Sequence, residues 1–225
     1  MSWLGALSLR TLSSLSKERI IVVMCNDVRN YFKVVTTLKK HNISFILSTI
    51  ETRLNFTPDV IITDIELKNF ERYRVIKLEE KPVKSSVLLL EVCRAILGKK
   101  QLDQIILGVD PGKETGVVML ADGVVVLKRV AYNVASIISM VKEIIELANF
   151  QELMIKIGTS PSHRDIVRVL LKLIPKSEKV RIGLVDESRV SKLFRLYSKV
   201  IEDKNDNIIS AYAICLARNY VELNE

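Results

Sequence analysis

The chain has little of what usually betrays a chemistry. In 225 residues there are 2 histidines, His41 and His163, and 3 cysteines. Cys25, Cys93 and Cys215 are odd in number, far apart and without metal-type spacing. That excludes a cysteine zinc site and points to a reducing compartment. No Ser-His-Asp arrangement is suggested, and there is no Walker loop and no Gly-x-Gly-x-x-Gly. Only 8 Gly and 5 Pro exclude collagen-like or low-complexity character. No uncharged apolar run approaches the roughly 18 residues of a membrane span, so the expectation is a cytoplasmic protein without a membrane partner. What is there is core: 48% of the residues are hydrophobic and 27% charged, enough for one large domain or two small ones.

Charge is unevenly spread. The 34 basic and 26 acidic residues give a net +8, and nearly all of the excess falls in residues 1–100. A basic half joined to a balanced half suits a polyanion partner, though it also serves solubility. The first 19 residues are rich in Ser and Leu. They resemble a weak transit peptide and read equally as a short docking helix or an overlong start.

Hydrophobic periodicity predicts the elements that follow. Strands are expected at Ile20–Met24, Ile43–Leu47, Asp59–Asp64 and Arg74–Leu78, with helices over 28–40 and 84–98. Strands alternating with helices build a small parallel sheet, so residues 20–98 read as a flavodoxin- or Rossmann-like α/β domain. Gly98-Lys99-Lys100-Gln101 is the linker candidate. A second domain, 103–222, opens with a near-continuous apolar strand ending at Asp110. Two strands follow around the hairpin pair Asp122-Gly123. A helix over 133–147, a strand at 153–157 and a helix starting near Ser162 with a capping-box spacing to Asp165 come next. A strand over 180–185 and helices at about 189–197 and 206–221 complete the order βββαβαβα.

Acids punctuate this second domain. Asp110 ends the first strand just before Pro111-Gly112, Asp186-Glu187 follow the last strand, and Asp203 and Asp206 sit at the start of the final helix. Each has an ordinary reading as turn or cap chemistry. Together they could converge, and clustered carboxylates repel one another unless a cation sits among them. Oxygen-only ligands suit Mg²⁺ or Mn²⁺, which in pairs support phosphodiester cleavage. Arg164, Arg168, Lys172, Lys176, Lys179 and Arg181, and the helical series Arg189, Lys192, Arg195 and Lys199, could follow a phosphate backbone or form a solvated face.

The segment Leu107-Gly108-Val109-Asp110-Pro111-Gly112-Lys113-Glu114-Thr115-Gly116 resembles the opening motif of the RuvC/YqgF branch of ribonuclease H-like nucleases, archaeal representatives included. Ile155–Pro161 is similar to the fourth-strand turn of the YqgF type, Val185–Arg189 to its Asp-Glu-Arg segment, and Ser210–Leu216 to its closing helix. The resemblance covers about residues 104–221. It implies a ribonuclease H-like domain and a Mg²⁺-dependent nuclease acting on structured DNA or RNA. Asp110 and Glu187 would be its metal ligands, Asp206 or Asp203 would complete the set, and Lys113 lies in the motif. The chain departs from the pattern. Lys156 and Gly158 stand where RuvC resolvases carry a Glu, and Asn207 and Ser210 occupy the positions of the last acid. A lost ligand would leave a nucleic-acid-binding scaffold, associated with the ribosome or a repair complex. A homodimer is also open.

In the first half, Pro58–Asp64 resembles the third strand of a response-regulator receiver, and Glu80-Lys81-Pro82-Val83 its Lys-Pro segment. The resemblance implies a phosphoacceptor at Asp64 with Asp27 beside it. The spacing from Asp64 to Lys81 is too short for a complete receiver.

Overall fold

A computed structural model of the protein describes residues 10–49, 51–52, 54–66, 73–78, 83–160, 163–173, 178–190, 201 and 203–223, the side chains of 189–190 excepted. The chain divides into two compact units. One is Thr11–Gln101 with Glu146–Ala148; the other contains Leu102–Ile145 and Asn149–Glu225. Thr11–Arg19, expected as part of an extension over 1–19, belongs to the first unit. Its helix α1 (Leu12–Ser16) is capped by a reciprocal Thr11–Ser14 box and buries Leu12 and Ser16. The Ser16 hydroxyl accepts the Ser44 N–H at 3.0 Å.

The N-terminal unit is a parallel sheet in the order β2-β1-β3-β4. Its strands are β1 (Ile21–Met24), β2 (Ile46–Leu47), β3 (Val60–Thr63) and β4 (Arg74–Lys77). β1 and β3 are buried at every residue, as their unbroken apolar runs require of central parallel strands. An aspartate fixes each end of β3. Asp59 accepts the Ile20 N–H at 2.8 Å and pairs with Arg19, while Asp64 accepts the N–H groups of Asn26 and Asp27 at 2.8 and 3.0 Å. Helix α2 (Val28–Lys40) starts on an Asp27 cap, and α3 (Ser85–Leu97) ends at Gly98 in the left-handed region.

The C-terminal unit is a mixed sheet in the order β10-β9-β8-β5-β6-β7. The strands are β5 (Leu102–Asp110), β6 (Thr115–Ala121), β7 (Val124–Ala131), β8 (Phe150–Gly158), β9 (Val180–Val185) and β10 (Val221–Glu222). β5, β6 and β7 form antiparallel hairpins, and β8 and β9 run parallel to β5. Asp122 and Gly123 turn the second hairpin with φ of 47° and 80°, as a primed turn demands. Helices α4 (Val134–Leu147), α5 (His163–Leu173), α6 (Glu187–Val190) and α7 (Asp206–Leu216) intervene or follow, in the expected order.

One expectation ends differently. The last helix stops at Leu216 rather than continuing to Val221, and Val221 and Glu222 pair antiparallel with Leu184 and Gly183. The open edge of β9 offers hydrogen bonds that a further helical turn would forgo. The Ser162 cap and residues 191–197 of the expected penultimate helix lie outside the described residues.

Helix α7 lies closer to the sheet than a side chain would allow. A Cβ on Gly116 would stand 1.9 Å from the Asn207 carbonyl oxygen, and one on Gly108 would stand 2.3 Å from that of Ala211. The far end of α7 is held by Lys156, which is 7% exposed. Its ammonium donates to the Cys215 and Ala217 carbonyls at 2.8 and 2.7 Å and lies 5.3 Å from the Tyr220 ring centroid. A cation at a helix C-terminus satisfies orphan carbonyls and complements the dipole. Lys156 therefore anchors a helix at a position where the resemblance puts an acid. Gly116→Ala is expected to cost about 1–3 kcal/mol by overpacking. Urea denaturation checks this, with a lowered midpoint at unchanged slope.

Candidate functional site

β5 and β9 are separated in the sheet only by β8, and all three run the same way. Their C-terminal ends therefore lie along one sheet edge. Asp110 is the last residue of β5, and Asp186 and Glu187 follow the last residue of β9. Between them β8 ends at Gly158, paired with Val185. A Cβ there would stand 2.5 Å from Glu187 Oε1 and 2.8 Å from Ile214 Cδ1. The glycine thus creates the space in which the Glu187 carboxylate lies.

The electrostatics follow from this crowding. Burial, with the Glu187 charge behind it, pushes the Asp110 carboxyl up to about 7, against a hydrogen bond from the Ser210 side chain. Burial also raises Glu187; the His163 charge opposes the rise and the Asp186 charge adds to it. Among the described residues Glu187 Oε1 is buried without a hydrogen-bond partner. An unpartnered buried carboxylate oxygen is costly, and so are two carboxylates that each resist ionisation. A divalent cation relieves both penalties at once. The residues fit Mg²⁺, which takes one or two carboxylates and completes its shell with water or phosphate oxygen.

The other acids stand apart. Asp206 is exposed in the first turn of α7. Asp203 pairs with Lys128 at 3.0 Å and accepts the Asn205 N–H at 3.0 Å. Among the described residues no group of three or more His, Cys, Asp or Glu gathers in a form that could hold a metal. Two of the four expected acids come together, and the hydroxyl of Ser210 takes the third place beside Asp110.

Around the same strand ends, Ser160 donates to the Pro111 carbonyl at 2.7 Å, and the Ser160 carbonyl meets the His163 ring. Lys113 is exposed in the β5–β6 turn, and Arg164 and Arg168 are exposed one helical turn apart on α5. Arg181 is committed to Glu152 and Glu222 instead. The Arg189 side chain, Lys192 and Arg195 lie outside the described residues. In the N-terminal unit, a cleft of about 980 Å³ at the strand ends is lined by Asn26, Asp27, Arg29, Asp64 and Lys77 among others. Both Asp64 oxygens there accept main-chain N–H groups, so the carboxylate clamps the loop between β1 and α2. Lys81 lies outside the described residues.

Reading the sequence missed what Gly158 does for Glu187. The available signal was a glycine at the end of a central strand, beside a second strand ending in Asp-Glu. It also missed His163 as a neighbour of Glu187, for which no sequence signal exists.

No family model matches the chain, and no curated protein matches it by sequence. Among solved structures it is similar to the Argonaute of Marinitoga piezophila in complex with a 5′-OH guide RNA and target DNA. The identity is 10%, the TM-score 0.25, and the match covers 78% of this chain and 42% of that one. The chain thus spans about two fifths of that protein's length. A likeness this loose decides neither fold nor function. Among the described residues no helix is long and apolar enough to cross a membrane.

The raised Asp110 pKa fixes the sign of a pH effect. Its folded value, about 7, lies above the ordinary 3.8. The protonated form is therefore favoured by folding. The contribution to stability is complete below about pH 4 and is lost as pH rises through about 7. The difference in Tm between Asp110→Asn and the wild type should become more positive over that window and then level off. Thermal melts across pH check it, and a flat or falling difference curve contradicts the buried, crowded carboxyl.

Proposed function

We propose that the C-terminal unit is a ribonuclease H-like domain of the RuvC/YqgF type that hydrolyses phosphodiester bonds in structured DNA or RNA with Mg²⁺ or Mn²⁺. One observation carries the reading: two carboxylates at the ends of separate parallel strands meet at one sheet edge, both resist ionisation, and one buried oxygen has no hydrogen-bond partner among the described residues. Asp110 and Glu187 would hold the ion. Bound there, it would supply an activated water and charge stabilisation for a leaving oxygen.

The chain's own groups do the rest. Asp110 gives up its proton near neutrality to become a ligand, so metal affinity should rise about tenfold per pH unit below about 7. Ser210 orients the Asp110 carboxylate. Lys113, Arg164 and Arg168 offer exposed cations to a phosphate backbone. Asp206, exposed at the start of α7, could join the set only with movement of that turn.

Ser210 at the place of a family acid favours a second reading on the same fold. In it the unit is a catalytically inactive nucleic-acid-binding scaffold, associated with a ribosome or repair complex. The two readings separate in one experiment. Four-way DNA junctions and hairpin RNAs are incubated with the wild type, Asp110→Asn, Glu187→Gln and Ser210→Asp, with Mg²⁺ or with EDTA. The hydrolytic reading expects Mg²⁺-dependent cleavage, lost in the first two variants. It also expects a third carboxylate at 210 to raise Mg²⁺ affinity about tenfold or more. Retention of nucleic acid without cleavage, unchanged by Asp110→Asn, establishes the scaffold reading instead.

A further inference from the structure

Helix α2 buries one face of mixed character, Asn30, Val34, Thr37 and Leu38. Its opposite face is exposed and should be polar in a helix that only packs on its own sheet. It is not. Val28 is 77% exposed, Phe32 69% and Tyr31 38%. At i, i+3 and i+4 these side chains form one stripe, continued by half-buried Val35. Arg29, Lys33 and Lys40 recur at helical spacing to form a basic row next to it. Val28–Lys40 holds 4 cations, those three and Lys39, and no acid. Arg29 pairs with Asp27 at 2.9 Å, while among the described residues no carboxylate pairs with Lys33, Lys39 or Lys40.

We infer that the outer face of α2 binds single-stranded nucleic acid, with bases stacked on Phe32 and Tyr31 and phosphates along Lys33, Lys40 and Arg29. The charge complements a polyanion, and exposed aromatic rings beside cations are the two components of sequence-tolerant single-strand binding. Stacking needs unpaired bases, whose faces a duplex keeps covered. A second copy of the chain would set two acid-free basic rows against each other. A membrane surface would need a broader apolar face than this one, because Val34 and Leu38 are already fully buried. The surface lies in the N-terminal unit and does not depend on the hydrolytic reading.

The test uses the full chain and a fluorescein-labelled oligo(dT), read by anisotropy. A parallel oligonucleotide carries 5-bromouracil for photocross-linking and peptide mapping. Cross-links within residues 28–40 are expected. Phe32→Ala should weaken binding about tenfold, while Phe32→Trp retains it. Lys33→Glu should weaken binding and reduce its salt slope by about 0.7 per lost phosphate contact. These exposed side chains contribute little to the core, so folding is kept, and circular dichroism verifies it. Cross-links only outside α2, with Phe32→Ala binding as the wild type does, overturn the inference. So does a Phe32-dependent dimer or phosphatidylserine-vesicle interaction that the oligonucleotide does not compete away.

Discussion

Two carboxylates are forced into one small volume at the ends of parallel strands, and the arrangement of the C-terminal unit has to accommodate them. Asp110 arrives there because β5 must end at Pro111-Gly112. Glu187 arrives because β9 ends two residues earlier on the other side of β8. Gly158 gives it room, since a Cβ would stand 2.5 Å from its Oε1. Among the described residues no Lys or Arg pairs with either acid, and only the His163 charge opposes the rise at Glu187. Burial and like charge raise both, and Glu187 keeps a buried oxygen without a hydrogen bond. A fold can retain such a cost when the site is used with a counterion bound.

Helix α7 sets the geometry over that pair. Its first turn lies on Gly116, the partner of Asp110 in the β5–β6 ladder, and Ser210 reaches the Asp110 carboxyl from the next turn. Its last carbonyls are fixed by the buried Lys156. The glycines and the lysine thus position one helix from both ends. Lys156 spans no gap between the acids; its charge is spent on the opposite end of α7.

Much of this architecture was legible in the residues. Continuous apolar runs give the central strands, Asp122-Gly123 gives the hairpin, and the order of elements follows from periodicity. The end of the last helix was not legible, because pairing of Val221 and Glu222 with β9 is a tertiary effect that local pattern does not encode. The meeting of Asp110 with Glu187 was readable, since strand ends in a parallel sheet share an edge. The fates of Asp203 and Asp206 were not, because spacing alone does not reveal that Lys128 claims the one and solvent the other. A lysine in a strand likewise gives no sign that it will cap a helix 59 residues away.

The central claim is that Asp110 and Glu187 form a crowded carboxylate pair, the one proposed above to hold a cation. Carboxyl-carbon NMR with selectively labelled aspartate and glutamate, titrated in pH with and without Mg²⁺, tests it most directly. The account predicts an Asp110 resonance that titrates near 7 without metal. With saturating Mg²⁺ the midpoint should fall by more than one unit, and the Glu187 resonance should shift at the same metal concentration. An Asp110 midpoint near the ordinary 3.8, indifferent to Mg²⁺, would contradict it.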